Sequence, residues 1–84
     1  MEQELIVFSA PWCGPCKMYK PILDEIKKDL DLTLTQYNVD EDTEMATKYG
    51  VRSVPTTVLV KEDGTTATYI GVMTKSRLLA WLAK

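Results

Sequence analysis

Two cysteines, the only two in the chain, stand three positions apart in Trp12-Cys13-Gly14-Pro15-Cys16. That spacing limits the fold more than any other feature. In a helical turn, residues i and i+3 share a face, and their Cα separation falls within the roughly 4.4–6.8 Å that a disulfide bridges. A ring so small can close and reopen without unfolding its surroundings. The five residues follow a continuously apolar run, Leu5-Ile6-Val7-Phe8, and precede a segment of helical periodicity. They therefore mark a strand-to-helix junction, where free N–H groups and the positive end of the helix dipole face the first sulfur. A thiolate favoured in this way is the reactive species of dithiol–disulfide exchange. The bland alternative is a pair of ordinary core cysteines, and a C-x-x-C in a cytosolic-looking βαβ chain argues against it.

The rest of the composition removes competing chemistries. With no histidine, the chain lacks the usual general base near neutral pH, so a Cys–His or Ser–His hydrolase is not expected. A structural zinc site needs four ligands, and two thiols do not supply them; no metal is expected. A net charge of −2 does not fit a nucleic-acid or anionic-membrane surface, which needs clustered Lys and Arg. No apolar run approaches a membrane span. The acidic start, Met1-Glu2-Gln3-Glu4, lacks the basic region of a signal peptide, so a cytoplasmic location is expected. At 84 residues, residues 1–84 are expected to form one domain.

Leu5 to Phe8 reads as a strand buried on both faces. From about Gly14 to Leu30 a helix is expected, with Met18, Ile22, Ile26 and Leu30 as its apolar stripe beside Tyr19 and Leu23. Lys17, Lys20, Asp24, Lys27 and Lys28 form its solvated face. Pro15 suits the first turn, whereas Pro21 predicts a kink. Leu32 to Val39 reads as a second strand, giving a right-handed βαβ unit. Asp42 or Thr43 can cap a short helix that ends at Gly50. Thr56 to Val60 and Thr65 to Ile70 form a hairpin around Glu62-Asp63-Gly64. Thr74 caps a last helix burying Leu78, Trp81 and Leu82. The order is β-α-β-α-β-β-α, an α/β class.

In that order of elements, Trp12-Cys13-Gly14-Pro15-Cys16, the later Val54-Pro55-Thr56 and Gly71 after the hairpin, the chain resembles the thioredoxin family from about residue 4 onwards. The resemblance implies a thioredoxin-like fold with a four-stranded mixed sheet flanked by helices, lacking the first strand and helix of larger members. Departures from the family pattern are specific. Val7 stands where members often carry a buried aspartate, Gln36 where a lysine is common, Ser9 where a tryptophan is common, and Pro11 where a polar residue is common.

The chemistry follows residue by residue. Cys13 is the expected nucleophile and Cys16 the resolving thiol, with Trp12, Gly14, Pro15 and Pro55 as support. Without a buried acid at Val7, the proton of Cys16 is expected to pass to the departing partner thiolate or to water. Pro55 read from the residues alone is equally a loop proline or a cis proline; the resemblance implies a cis Val54-Pro55 bond beside the disulfide. Val54, Gly71, Val72 and Met73 are the expected substrate-binding residues, with Val54 offering its backbone to an extended partner and Gly71 a close approach. Val72 and Met73 can equally fold under the last helix. Asp40 is either a buried-edge partner of the Trp12 indole or a helix-entry carboxylate. Tyr37, Tyr49 and Tyr69 are packing residues, and Met18, Ile22 and Ile26 are core.

The resulting expectation is a protein-disulfide reductase that works through a reversible Cys13–Cys16 disulfide and needs no organic cofactor. Its implied partners are disulfide-containing proteins and a thioredoxin-reductase-type or glutathione-based electron donor, and it is expected to be a monomer. Two alternatives stay open. One is a glutathione-coupled, glutaredoxin-like protein, although the glutathione-carboxylate stretch Gly-Gly-x-Asp is missing after Gly71. The other is a docking module in which the dithiol is incidental. An iron–sulfur or metal protein sharing four cysteines between two chains is the remotest option.

Overall fold

A computed structural model describes residues 3–30 and 32–83. The chain alternates strands and helices as β1 (Glu4–Ser9), α1 (Gly14–Leu30), β2 (Thr33–Asn38), α2 (Thr43–Lys48), β3 (Thr56–Val60), β4 (Thr66–Ile70) and α3 (Lys75–Leu82). The sheet order is β2-β1-β3-β4. β1 pairs in parallel with β2 and antiparallel with β3, while β3 and β4 form an antiparallel hairpin. The sheet is therefore mixed, and β1 lies inside it with pairing on both edges. Leu5, Ile6, Val7 and Phe8 are buried on both faces, which explains their unbroken apolar character.

Successive side chains of β1 point to opposite faces and feed two cores. Leu5 and Val7 join Tyr19, Leu23 and Ile26 of α1, Leu59 of β3, Met73, and Leu78 and Leu82 of α3. Ile6 and Phe8 join Val58, with Tyr37, Met45, Ala46 and Tyr49 packed against them. Thus α1 and α3 cover one face and α2 the other. Phe8 stacks on Tyr37 with ring centroids 5.5 Å apart and meets Tyr49 at 5.8 Å. Tyr69 meets Trp81 edge-on at 6.3 Å. All three tyrosines serve packing.

The buried stripe of α1 is Cys16, Tyr19, Leu23 and Ile26, which corrects the expected stripe. Met18 is 71% exposed and Leu30 44% exposed. Helical geometry gives the reason. At 3.6 residues per turn a strict spacing of four drifts by about 40° per step, so Met18 to Leu30 swings about 120° around the axis. The alternating spacing 3-4-3 stays within one face. Helix α1 continues through Pro21.

The turns follow local chemistry. Asp63 Oδ1 accepts from the Thr65 N–H at 3.0 Å and from the Thr65 hydroxyl at 2.6 Å, and Gly64 adopts φ 88°. That closes the β3–β4 hairpin. Thr74 caps α3 by accepting from the Arg77 N–H at 3.2 Å. Asp42 occupies the N-cap of α2, but no side-chain hydrogen bond caps that helix. The Lys75 ammonium lies 2.8 Å from Asp29 and 3.9 Å from Glu25, clamping α3 to α1.

Candidate active site

The site forms where β1 ends and α1 begins. Ala10 turns the chain, its carbonyl accepting from the Cys13 N–H at 3.1 Å. Helix α1 starts at Gly14, so Cys13 occupies the position just before it. Cys13 and Cys16 form a disulfide with a Cα separation of 5.3 Å. The Cys16 N–H donates to Cys13 Sγ at 3.2 Å. A side-chain acceptor just before the helix taking the N–H three residues on is the geometry of an N-cap. Here sulfur replaces the usual oxygen. Pro15 brings no N–H of its own, so of the two usual N-cap donors, two and three residues on, Cys16 alone is present. A donor already aimed at Sγ favours negative charge on that atom.

Both cysteines are largely covered, Cys13 at 5% and Cys16 at 8% exposure. They cluster with Ala10, and Val39 and Val54 pack against the group. The Val54 carbonyl oxygen lies 3.8 Å from Cys13 Sγ. Val54-Pro55 is a cis peptide, and Pro55 is buried. The Pro55 carbonyl accepts from the Gly71 N–H at 2.9 Å, which ties the loop after the hairpin to the loop beside the disulfide. Gly71 adopts φ 108°, a backbone region that excludes most side chains on conformational grounds. A Cβ built there meets no atom within 4 Å, so the space above it is open.

Trp12 is 69% exposed, and its indole N–H donates to Asp40 Oδ2 at 3.0 Å. The pairing is one of the two alternatives open for Asp40; its setting is the surface, not a buried edge. Pro15 and Val72 are also exposed. Met73 is different. It is fully buried in the core with Val7, Tyr19 and Leu78, which removes its side chain from the expected substrate-binding set. The short turn from β4 to α3 directs it inward to fill the space between helix and sheet.

A cavity of about 250 Å³ opens behind Cys16. Its buried walls include Val7, Tyr19, Leu23 and Pro55, and Lys17, Lys20 and Gln36 stand at its exposed rim. Val7 pairs across the sheet with Gln36 on one side and Thr57 on the other. The Tyr19 hydroxyl and Thr57 Oγ1 are 2.9 Å apart. Burial pushes the Tyr19 phenol above its ordinary value, partly opposed by the Thr57 hydrogen bond, with a further small rise from Tyr69. Sequence reasoning missed this buried pair because its members lie 38 residues apart. Among the described residues, no group of three or more His, Cys, Asp or Glu side chains could hold a metal ion, and no helix is long and apolar enough to cross a membrane.

Comparison with known proteins agrees with this geometry. The thioredoxin family model matches residues 1–84. A thioredoxin from Pseudomonas aeruginosa is 44% identical over 80 residues, covering 93% of this chain and 74% of that one. One from Rickettsia felis is 44% identical over 82 residues, covering 95% and 78%. Among solved structures, a mutant thioredoxin from Halobacterium salinarum superposes with a TM-score of 0.87 at 34% identity, covering 95% of this chain and 71% of that one. Members of this family act on disulfides, draw electrons from reductase-type donors in general, and use the redox-active disulfide as their only redox group. With its four-stranded mixed sheet and its Cys13–Cys16 disulfide at the start of α1, the chain belongs to the thioredoxin family and is a thiol–disulfide oxidoreductase that reduces protein disulfides.

Proposed function

We propose that Cys13 is the nucleophile and Cys16 the resolving thiol. The observation that carries this assignment is the Cys16 N–H aimed at Cys13 Sγ. Reduced Cys13 attacks a client disulfide and forms a mixed disulfide, releasing one client sulfur. Cys16 then attacks Cys13 Sγ, the bond from Cys13 to the client breaks, and the client leaves with two electrons as its second thiolate. The oxidised Cys13–Cys16 pair is reset by an external donor. Trp12, Gly14, Pro15 and Pro55 shape the site, while Val54, Gly71 and Val72 receive the client. Client main chain pairs with Val54 as a short added strand, and the open space at Gly71 admits it closely. Residues 1–84 act as one domain and as a monomer, located in the cytoplasm.

A thioredoxin-reductase-type donor fits better than glutathione because no Gly-Gly-x-Asp stretch follows Gly71. The test couples insulin reduction to each donor in turn. Turnover with the reductase, weak turnover with glutathione, and loss of both in Cys13→Ser are the expected results. Retained turnover in Cys13→Ser overturns the assignment.

A further inference from the structure

The resolving step leaves a proton to place. Cys16 begins as a buried thiol and must attack as a thiolate. The atoms balance in two ways: the departing client sulfur takes the proton and leaves as a thiol, or a separate base takes it, so that the Cys13–client disulfide, the Cys16 thiol and the base give the Cys13–Cys16 disulfide, the client thiolate and the protonated base. The cavity behind Cys16 decides where that base is found. The titratable groups lining it are Lys17, Lys20 and Tyr19, besides Cys16 itself. Tyr19 is engaged with Thr57, and an ammonium cannot accept a proton. Asp40 is bonded to Trp12 and does not line the cavity. Ser9, Gln36 and Asn38 complete the polar lining and do not ionise. No carboxylate lines the cavity.

The space has room for water. About 250 Å³ with Ser9, Lys17, Lys20, Gln36 and Asn38 in its lining offers the volume and the polar partners that several waters need. The cavity is also separate from the client-facing side. Cys13, Trp12, Val54, Gly71 and Val72 are not among its lining residues. The client-receiving residues and the cavity's lining therefore do not overlap.

We propose that this cavity is a solvent-filled rear exit through which the Cys16 proton passes, by way of water, to a small buffer base from bulk solution. The proposal rests on Cys16 being the resolving thiol. It assigns Gln36 a positional part as a rim residue that keeps the mouth polar and open. Lys17 and Lys20 add positive charge at the same mouth, which favours a negative sulfur behind it.

The two steps separate in a single experiment. Reduced protein is mixed rapidly with a chromogenic aryl disulfide, which releases one coloured thiolate when Cys13 attacks and a second when Cys16 resolves. At fixed pH and ionic strength, the second phase is followed against imidazole concentration in the native chain and in Gln36→Trp, whose indole covers the mouth. The second phase should rise with imidazole in the native chain. In Gln36→Trp it should slow by roughly tenfold or more, within reach of the usual contribution of proton transfer, and lose its imidazole dependence, while the first phase is unchanged. An imidazole-independent second phase in the native chain overturns the rear exit without any appeal to the variant. So does an imidazole-dependent phase that a folded Gln36→Trp leaves untouched. Absence of the first phase instead overturns the assignment of Cys13.

Discussion

The Trp12 indole donates to Asp40 across 28 residues of sequence, joining the turn that carries the nucleophile to the turn that ends β2. The bond is exposed, so its worth is set by competition with water. Asp40→Ala should cost about 0.5–1.5 kcal/mol, the net value of an ordinary hydrogen bond. It should also shift the emission of Trp12 and lower client turnover modestly. Denaturant unfolding and fluorescence check this. An unchanged spectrum would make Asp40 a helix-entry carboxylate only.

Tyr19 and Thr57 form a buried pair under the site. Tyr19→Phe leaves the Thr57 hydroxyl without that partner and should destabilise by about 1–3 kcal/mol. Thr57→Val together with Tyr19→Phe should cost less than the sum of the single changes, as coupled partners do. Additive costs in a double-mutant cycle would show that the bond does not form.

Two apolar residues of α1 separate the stripes. Ile26 is fully buried, whereas Met18 is 71% exposed. Ile26→Ala should cost about 2–5 kcal/mol, and Met18→Ala should stay within about 0.5 kcal/mol. Chemical unfolding midpoints decide. Equal losses would restore the strict i+4 stripe.

Three groups set opposite pH responses. The Thr65 hydroxyl, followed by the Thr65 N–H, holds the Asp63 carboxyl below its ordinary value. Its contribution to stability is full above the ordinary carboxylate range and is lost as pH falls through the folded value. The Asp29 hydrogen bond, with smaller attraction from Asp29 and Glu25, raises the Lys75 ammonium against the opposing effect of desolvation. That contribution is full below the ordinary lysine value and is lost as pH rises beyond it. Tyr19, raised chiefly by burial, behaves likewise: its neutral form is favoured, and stability falls once the unfolded phenol ionises. Asp63→Ala should therefore lower the thermal midpoint at neutral pH and lose that effect in acid. A difference that persists below the carboxylate range would contradict the Thr65 hydrogen bonds as its cause.

Much of this was legible because local chemistry agrees with the fold. Leu5–Phe8 named the central strand, Thr74 the cap of α3, and Asp63-Gly64 the hairpin turn. The cysteine spacing named the site. Pro55 was not decided by its own residues, since a loop proline and a cis proline share one local sequence; the resemblance implied the cis form that the structure contains. Met73 stood open between the client-facing surface and a place under the last helix, and its burial decides for the second, because its direction depends on how α3 returns over the sheet. Asp42 sits at a cap position without capping, which residue type alone does not reveal. The cavity behind Cys16 was illegible because β1, β2 and α1 build it together. The departures from the family pattern at Val7, Ser9, Pro11 and Gln36, all of which line it, were its trace in the sequence.

The central claim is the division of labour between the two sulfurs. Its most direct measurement is mass spectrometry of the covalent adduct formed with a disulfide-containing client. Cys16→Ser should accumulate a mixed disulfide mapped to Cys13, because the attack proceeds and the release does not. The account is contradicted if that adduct fails to form, or if Cys13→Ser accumulates an equivalent adduct through Cys16.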